Sequence, residues 1–191
     1  MRTFLTFVVT LVLCCSALAQ TVAKDSEPKP AVLQKNEGEV LTRRPRDIPM
    51  PNSDFMLKVS PQSGSKHFVL GTEEIPPGGL IAKHKHHGQD EILLIQTGTA
   101  HIWLGDKEYD GLPGSLVFIP SETWIGLKNT GKENISLVFI FNEPGFDEMM
   151  RCVSVPKGQP ASHISKEELR ACSHNGHAEF EALETPPAKK P

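Results

Sequence analysis

Gly78-Gly79-Leu80-Ile81-Ala82-Lys83-His84-Lys85-His86-His87-Gly88-Gln89-Asp90-Glu91, closing at Gly98, is the stretch that decides the reading of this chain. His84 and His86 stand two apart, so on a β-strand both side chains point to one face, with Lys83 and Lys85 on the other. Glu91 follows a Gly-Gln-Asp turn and opens the next apolar run. Two imidazoles on one strand and a carboxylate on its neighbour can then converge on one point. That donor set suits Zn, Fe, Mn, Ni or Cu.

Outward from this stretch, the texture between His67 and Asn142 is uniform. Short runs rich in Val, Ile, Leu, Phe and Thr alternate with Gly, Pro and Asn. Strands are expected over 67–75, 80–86, 91–97, 99–104, 115–119, 123–129 and 135–142. Pro76-Pro77-Gly78-Gly79, Gly105-Asp106, Pro113-Gly114 and Thr130-Gly131 supply turns between them. Many short strands at even spacing predict an all-β sandwich or barrel. Beyond Asn142, Pro144 to Arg151 reads as a short helix. Ser165-Lys166-Glu167-Glu168 has the form of a capping box that opens a second helix through about Ala171.

The ends read differently. Arg2, the apolar run Phe4 to Leu13 and the small-residue site Ala17-Leu18-Ala19 predict a secretory signal peptide over 1–19, cut after Ala19. Export to a secreted or periplasmic location follows as an expectation. The mature chain would then have 172 of the 191 residues, a one-domain length. Residues 20–54, rich in Lys, Glu and Pro, read as a flexible arm with its last part laid along the domain. The expected barrel covers 55–142, a helical segment 143–182, and a disordered, Pro-rich tail 183–191. Arg43-Arg44-Pro45-Arg46 reads as solvated charge rather than a binding patch.

Loss of Arg2 with the signal changes the formal charge from −3 to −4, too mild to point to nucleic acid or an anionic membrane. No later apolar run approaches the ~20 residues of a membrane span. Of four cysteines, two leave with the signal. Cys152 and Cys172 remain, and an oxidising compartment favours their pairing. Cys172-Ser173-His174-Asn175-Gly176-His177 offers a thiol and two imidazoles to zinc, but a disulfide at Cys172 is the favoured reading.

Gly78, His84, His86, Glu91 and Gly98 fill every fixed position of a pattern that resembles the first signature motif of the cupin superfamily. The second motif of that family resembles Gly114, Pro120, Glu122, Ile125 and Asn129, with two departures: Glu122 stands where the family has glycine, and Ile125 where it has its third histidine ligand. The resemblance implies a small all-β barrel or jelly roll, a homodimer, and a small-molecule ligand or substrate. It also implies a divalent metal held by His84, His86 and Glu91. By likeness to quercetinase-like dioxygenases, Glu91 would alternate between ligand and catalytic base.

Ile125 carries no donor atom. Lys128 and Trp124 alternate onto the outer face of their strand, which turns Ile125 and Leu127 inward. Leu93, Ile95, Ile125 and Leu127 are expected to line the cavity. Three ligands leave three outcomes: an open two-histidine, one-carboxylate site suited to oxygen chemistry, a three-ligand site holding water, or a centre that has lost metal and keeps its polar residues for a small molecule or sugar. Neither His67 nor His101 can be placed near the site from sequence, and His87 faces away from the pair.

Overall fold

The computed structural model describes residues 29–48, 50 and 53–184. The signal peptide and all but the first two residues of the expected tail lie outside them. The described chain builds strands β1 (Glu39–Arg43), β2 (Asp54–Val59), β3 (Val69–Ile75), β4 (Leu80–His86), β5 (Glu91–Thr97) and β6 (Ala100–Leu104). It continues through β7 (Lys107–Gly111), β8 (Leu116–Ile119), β9 (Ile125–Asn129), β10 (Ile135–Phe141), β11 (Ser154–Pro156) and β12 (Ala178–Phe180). Three helices, α1 (Phe146–Cys152), α2 (Lys166–Asn175) and α3 (Glu181–Glu184), follow the main run of strands. No helix among the described residues is long and apolar enough to cross a membrane.

The strands form two antiparallel sheets, ordered β11-β1-β2-β3-β10-β5-β8 and β12-β4-β9-β6-β7. Their inner faces share one core because period-two alternation puts every second side chain inside. On β10 these are Ile135, Leu137, Phe139 and Phe141; on β5, Glu91, Leu93 and Ile95. Gly98 turns β5 into β6 with φ +81, where an added Cβ would stand 2.7 Å from the Asn134 carbonyl. That crowding accounts for glycine at this motif position. Asn129 serves the fold as well: its buried amide donates to the carbonyls of Ile75 and Glu133, each at 2.8 Å, and its oxygen accepts from Gly131.

Several expectations need correction. Part of the supposed arm, Glu39–Arg43, is a strand paired with both β2 and β11, and Leu41 within it is buried. Strands β2, β7, β11 and β12 fall outside the seven expected runs. Arg43 is not solvated: it is 6 % exposed and paired with Glu73. Leu183, placed in the tail, is buried at the end of the fold. The second helix keeps its expected capping box, with the Ser165 hydroxyl accepting from the Glu168 N–H, and runs on to Asn175. Cys152, at the end of α1, is bonded to Cys172 of α2 with Cα atoms 5.6 Å apart, which occupies the thiol of the alternative zinc cluster.

Candidate metal centre

Strand β4 carries His84 and His86 inward as its alternation requires, 9 % and 2 % exposed. Its register against β9 shifts between Ile81 and His84, a bulge beside the two imidazoles. Bulges re-aim side chains and recur next to functional sites. Glu91 opens β5 in the opposite sheet and is also buried. One ligand atom from each of His84, His86 and Glu91 lies within 4.8 Å of the others. The three side chains thus meet between the sheets.

The bonding around them is one-sided. His84 Nδ1 lies 2.9 Å from the Ala82 carbonyl, so it carries the proton and leaves Nε2 with a lone pair for the cavity. Phe180 stacks on the His84 ring at 5.3 Å and His86 meets it edge-on at 5.1 Å. Around His86 stand Phe141 at 4.7 Å and Phe146 at 5.7 Å. Both His86 nitrogens and Glu91 Oε2 are buried without a hydrogen-bond partner. Orphaned polar atoms of this kind are costly and rare.

Burial sets the charge state. It depresses His84, a drop opposed by the bond to Ala82. It drives His86 well below its ordinary range, helped by His84 and His87. The Glu91 carboxyl is pushed up to about 8, by burial first and the Glu73 carboxylate second. His86 Nε2 and Glu91 Oε2 are 3.7 Å apart, which is not an ion pair, because both groups are driven neutral. Three convergent neutral donors, two of them with orphaned atoms, fit a divalent transition metal, whose own charge would reverse the carboxyl shift and displace its proton.

The fourth position is apolar. Ile125 faces His84 in register across β4 and β9 and is 1 % exposed. No other imidazole substitutes for it among the described residues. His87 turns out to Glu122 and Glu179, His101 pairs with Glu108 beside Trp103, and His67 is exposed. Trp124 lies on the outer face under Lys85, 5.1 Å from the ammonium. At the other departure, Glu122 adopts φ +65, the left-handed geometry that a glycine would take freely. Its carboxylate holds His87 Nδ1 at 2.9 Å and Lys85 at 3.8 Å. Relief of left-handed strain is worth about 1–2 kcal/mol and loss of these exposed pairs about 1 kcal/mol or less, with opposite signs. Glu122→Gly is expected to stay within about 1 kcal/mol of the parent at low salt and to melt above it at high salt, where the pairs are screened. Thermal scans at two ionic strengths measure this.

The cavity beside the donors has a volume of about 40 Å³. That is room for an ion with a few small ligands, far below the ~300–1,000 Å³ of sites for drug-sized molecules. Leu93, Ile125 and Leu127 line it; Ile95 does not. Ile95 sits deeper in the core, close enough to Gly111 that a Cβ there would stand 2.5 Å from its Cδ1. Sequence reasoning missed much of the wall, notably Arg43, Glu73, Phe146, Met149, Met150 and Phe180. Most of these come from β1, α1 and β12, segments whose placement no local period announces.

Residues 71–141 match the family model described as "Cupin domain". Among solved structures, the chain is similar to a predicted oxalate decarboxylase from Thermotoga maritima, at 20 % identity over 59 % of this chain and 99 % of that one, with a TM-score of 0.52. It is also similar to a cupin-2 domain protein from Rhodospirillum rubrum, at 18 % identity over 62 % and 78 % of the two chains, with a TM-score of 0.51. Identities this low speak to the fold alone. Comparison with curated proteins finds no match.

Proposed function

This chain carries a cupin domain, and from that premise we propose that it is an exported protein that holds one divalent transition metal through His84, His86 and Glu91 and turns over a small molecule there, with dioxygenase chemistry as the reaction class. The observation that carries the reading is the convergence of buried, unpartnered donor atoms from two sheets on one small cavity. When bound, the metal supplies Lewis acidity and a redox partner for O₂. The protein's share is physical. The bond from His84 to Ala82 fixes a tautomer, the phenylalanine rings hold both imidazoles in place, and apolar side chains make up most of the wall. Glu91, with a carboxyl pushed up to about 8, can hold or release a proton as well as bind. The Cys152–Cys172 bridge supports export to an oxidising compartment. A homodimer belongs to the same proposal.

Ile125 in the fourth position favours one alternative: a non-catalytic protein that binds a small molecule or sugar in a degenerate site. Untagged protein loaded in turn with Fe, Mn, Ni, Zn or Cu and weighed by native mass spectrometry decides between them. One ion per chain is expected, falling below ~0.1 in His86→Ala. Ile125→His is expected to tighten metal by at least about tenfold, the scale of one added ligand interaction. A parent that takes up no metal, but whose Ile125→His variant does, would establish the degenerate site.

A further inference from the structure

The cavity has a second polar pole. Arg43 and Glu73 line it, and their side chains are 4 % and 6 % exposed. The pair is joined end-on: Nη1 donates to Glu73 Oε1 at 2.6 Å and Nη2 to Oε2 at 2.9 Å. Phe55 lies under the guanidinium, 4.9 Å from Cζ, and holds its plane. A guanidinium has five N–H donors on two carboxylate-shaped edges. Glu73 occupies the end edge. The side edge begins at Nε, which is buried and has no partner. A buried cationic donor left unspent on a cavity wall is costly unless a ligand uses it.

Charge points the same way. Arg43 and Glu73 cancel. A divalent ion on two imidazoles and one carboxylate carries one positive charge beyond its donors, among buried side chains. One small monoanion balances it. The volume of about 40 Å³ limits that anion to very few heavy atoms.

We propose that the ligand of this cavity is a small carboxylate, held by the side edge of Arg43 with one of its oxygens also facing His84, His86 and Glu91. The inference rests on the metal reading above and adds the class of molecule. Neutral molecules of equal size lack both the fork contact and the charge.

The test uses the full mature protein loaded with cobalt(II), whose visible spectrum reports changes in its ligands. Formate is the carboxylate probe and formamide its neutral counterpart. Cobalt at one per chain, with a saturable spectral response to formate and none to formamide, is expected. Arg43→Lys keeps the charge but loses the fork. It is expected to retain cobalt and weaken formate by about 10–100-fold, the worth of a charge-assisted hydrogen bond. Cobalt at one per chain with formate and formamide acting alike, or with formate undiminished in a folded Arg43→Lys, overturns this inference and leaves the metal site standing. Failure to take up cobalt overturns both. Should Arg43→Lys not fold, the two probes on the parent protein decide alone.

Discussion

Glu73→Leu is expected to lower folding stability by about 3–5 kcal/mol, because it strands a guanidinium inside the protein with no counter-charge. Arg43 is 4 % exposed along its side chain, and Glu73 supplies both of its close carboxylate contacts. Water cannot replace them without opening the barrel. The double change Arg43→Met with Glu73→Leu, which removes both charges and keeps the volume apolar, is expected to recover most of the loss, since a buried pair is worth little against well-packed hydrophobic residues. Urea unfolding of the three variants in chelator measures the effect. A cost below ~1 kcal/mol for Glu73→Leu would mean that the pair is wet and that the guanidinium is no feature of the cavity.

Metal-free protein is expected to lose about 2 kcal/mol of stability as pH rises from about 6.5 to about 8. The Glu91 carboxyl titrates near 8 when folded, while an unfolded glutamate ionises near ~4.3. Between those values the native state binds the extra proton, so raising pH favours unfolding. His84 and His86 act in the opposite sense, because their folded values are depressed and the unfolded chain binds the extra protons below ~6.5. Their contribution is lost on acidification and constant above that point, which leaves Glu91 alone in the upper interval. Glu91→Gln is expected to flatten the interval and abolish metal uptake. Metal-loaded protein should show the reverse slope, because the ion competes with the proton for the same oxygen. Denaturant midpoints from pH 6 to 9, with and without chelator, provide the check; a flat chelated profile contradicts the buried acid.

The parts of the fold that were legible in the sequence are those where one face is buried and the other wet. Strands β4 and β5 begin and end where the alternation of Leu80–His86 and Glu91–Thr97 says they should. The motif spacing gave the three donors because a two-residue step and a short turn leave little freedom in where they point. Strand β7 was missed because Lys107-Glu108-Tyr109-Asp110 is exposed throughout, so no apolar period marks it. Strand β12 was missed because three residues, Ala178-Glu179-Phe180, are too few to show a period. Arg43 was misread for a different reason. A run of Arg-Arg-Pro-Arg looks solvated, and the partner that lets one of these cations enter the core lies 30 residues away. Long-range pairing is a property of the tertiary fold and leaves no local trace. Glu122 shows the converse. Its side chain departs from the family pattern, yet the backbone keeps the turn, so the departure changes the outer surface and not the path of the chain.

Strand β12 has a consequence for how the protein matures. It borders β4 directly, with Ala178 opposite His86 and Phe180 opposite His84. Arg43, at the far end of the described chain, faces the same interior. The centre is stitched from both extremities of the domain, so an emerging polypeptide owns its imidazoles well before it owns their shelter. A product ending at residue 177 would retain every signature residue and still leave them on an open sheet edge. Competence arrives only with residues 178–180, and a premature stop there would look intact to any search by motif.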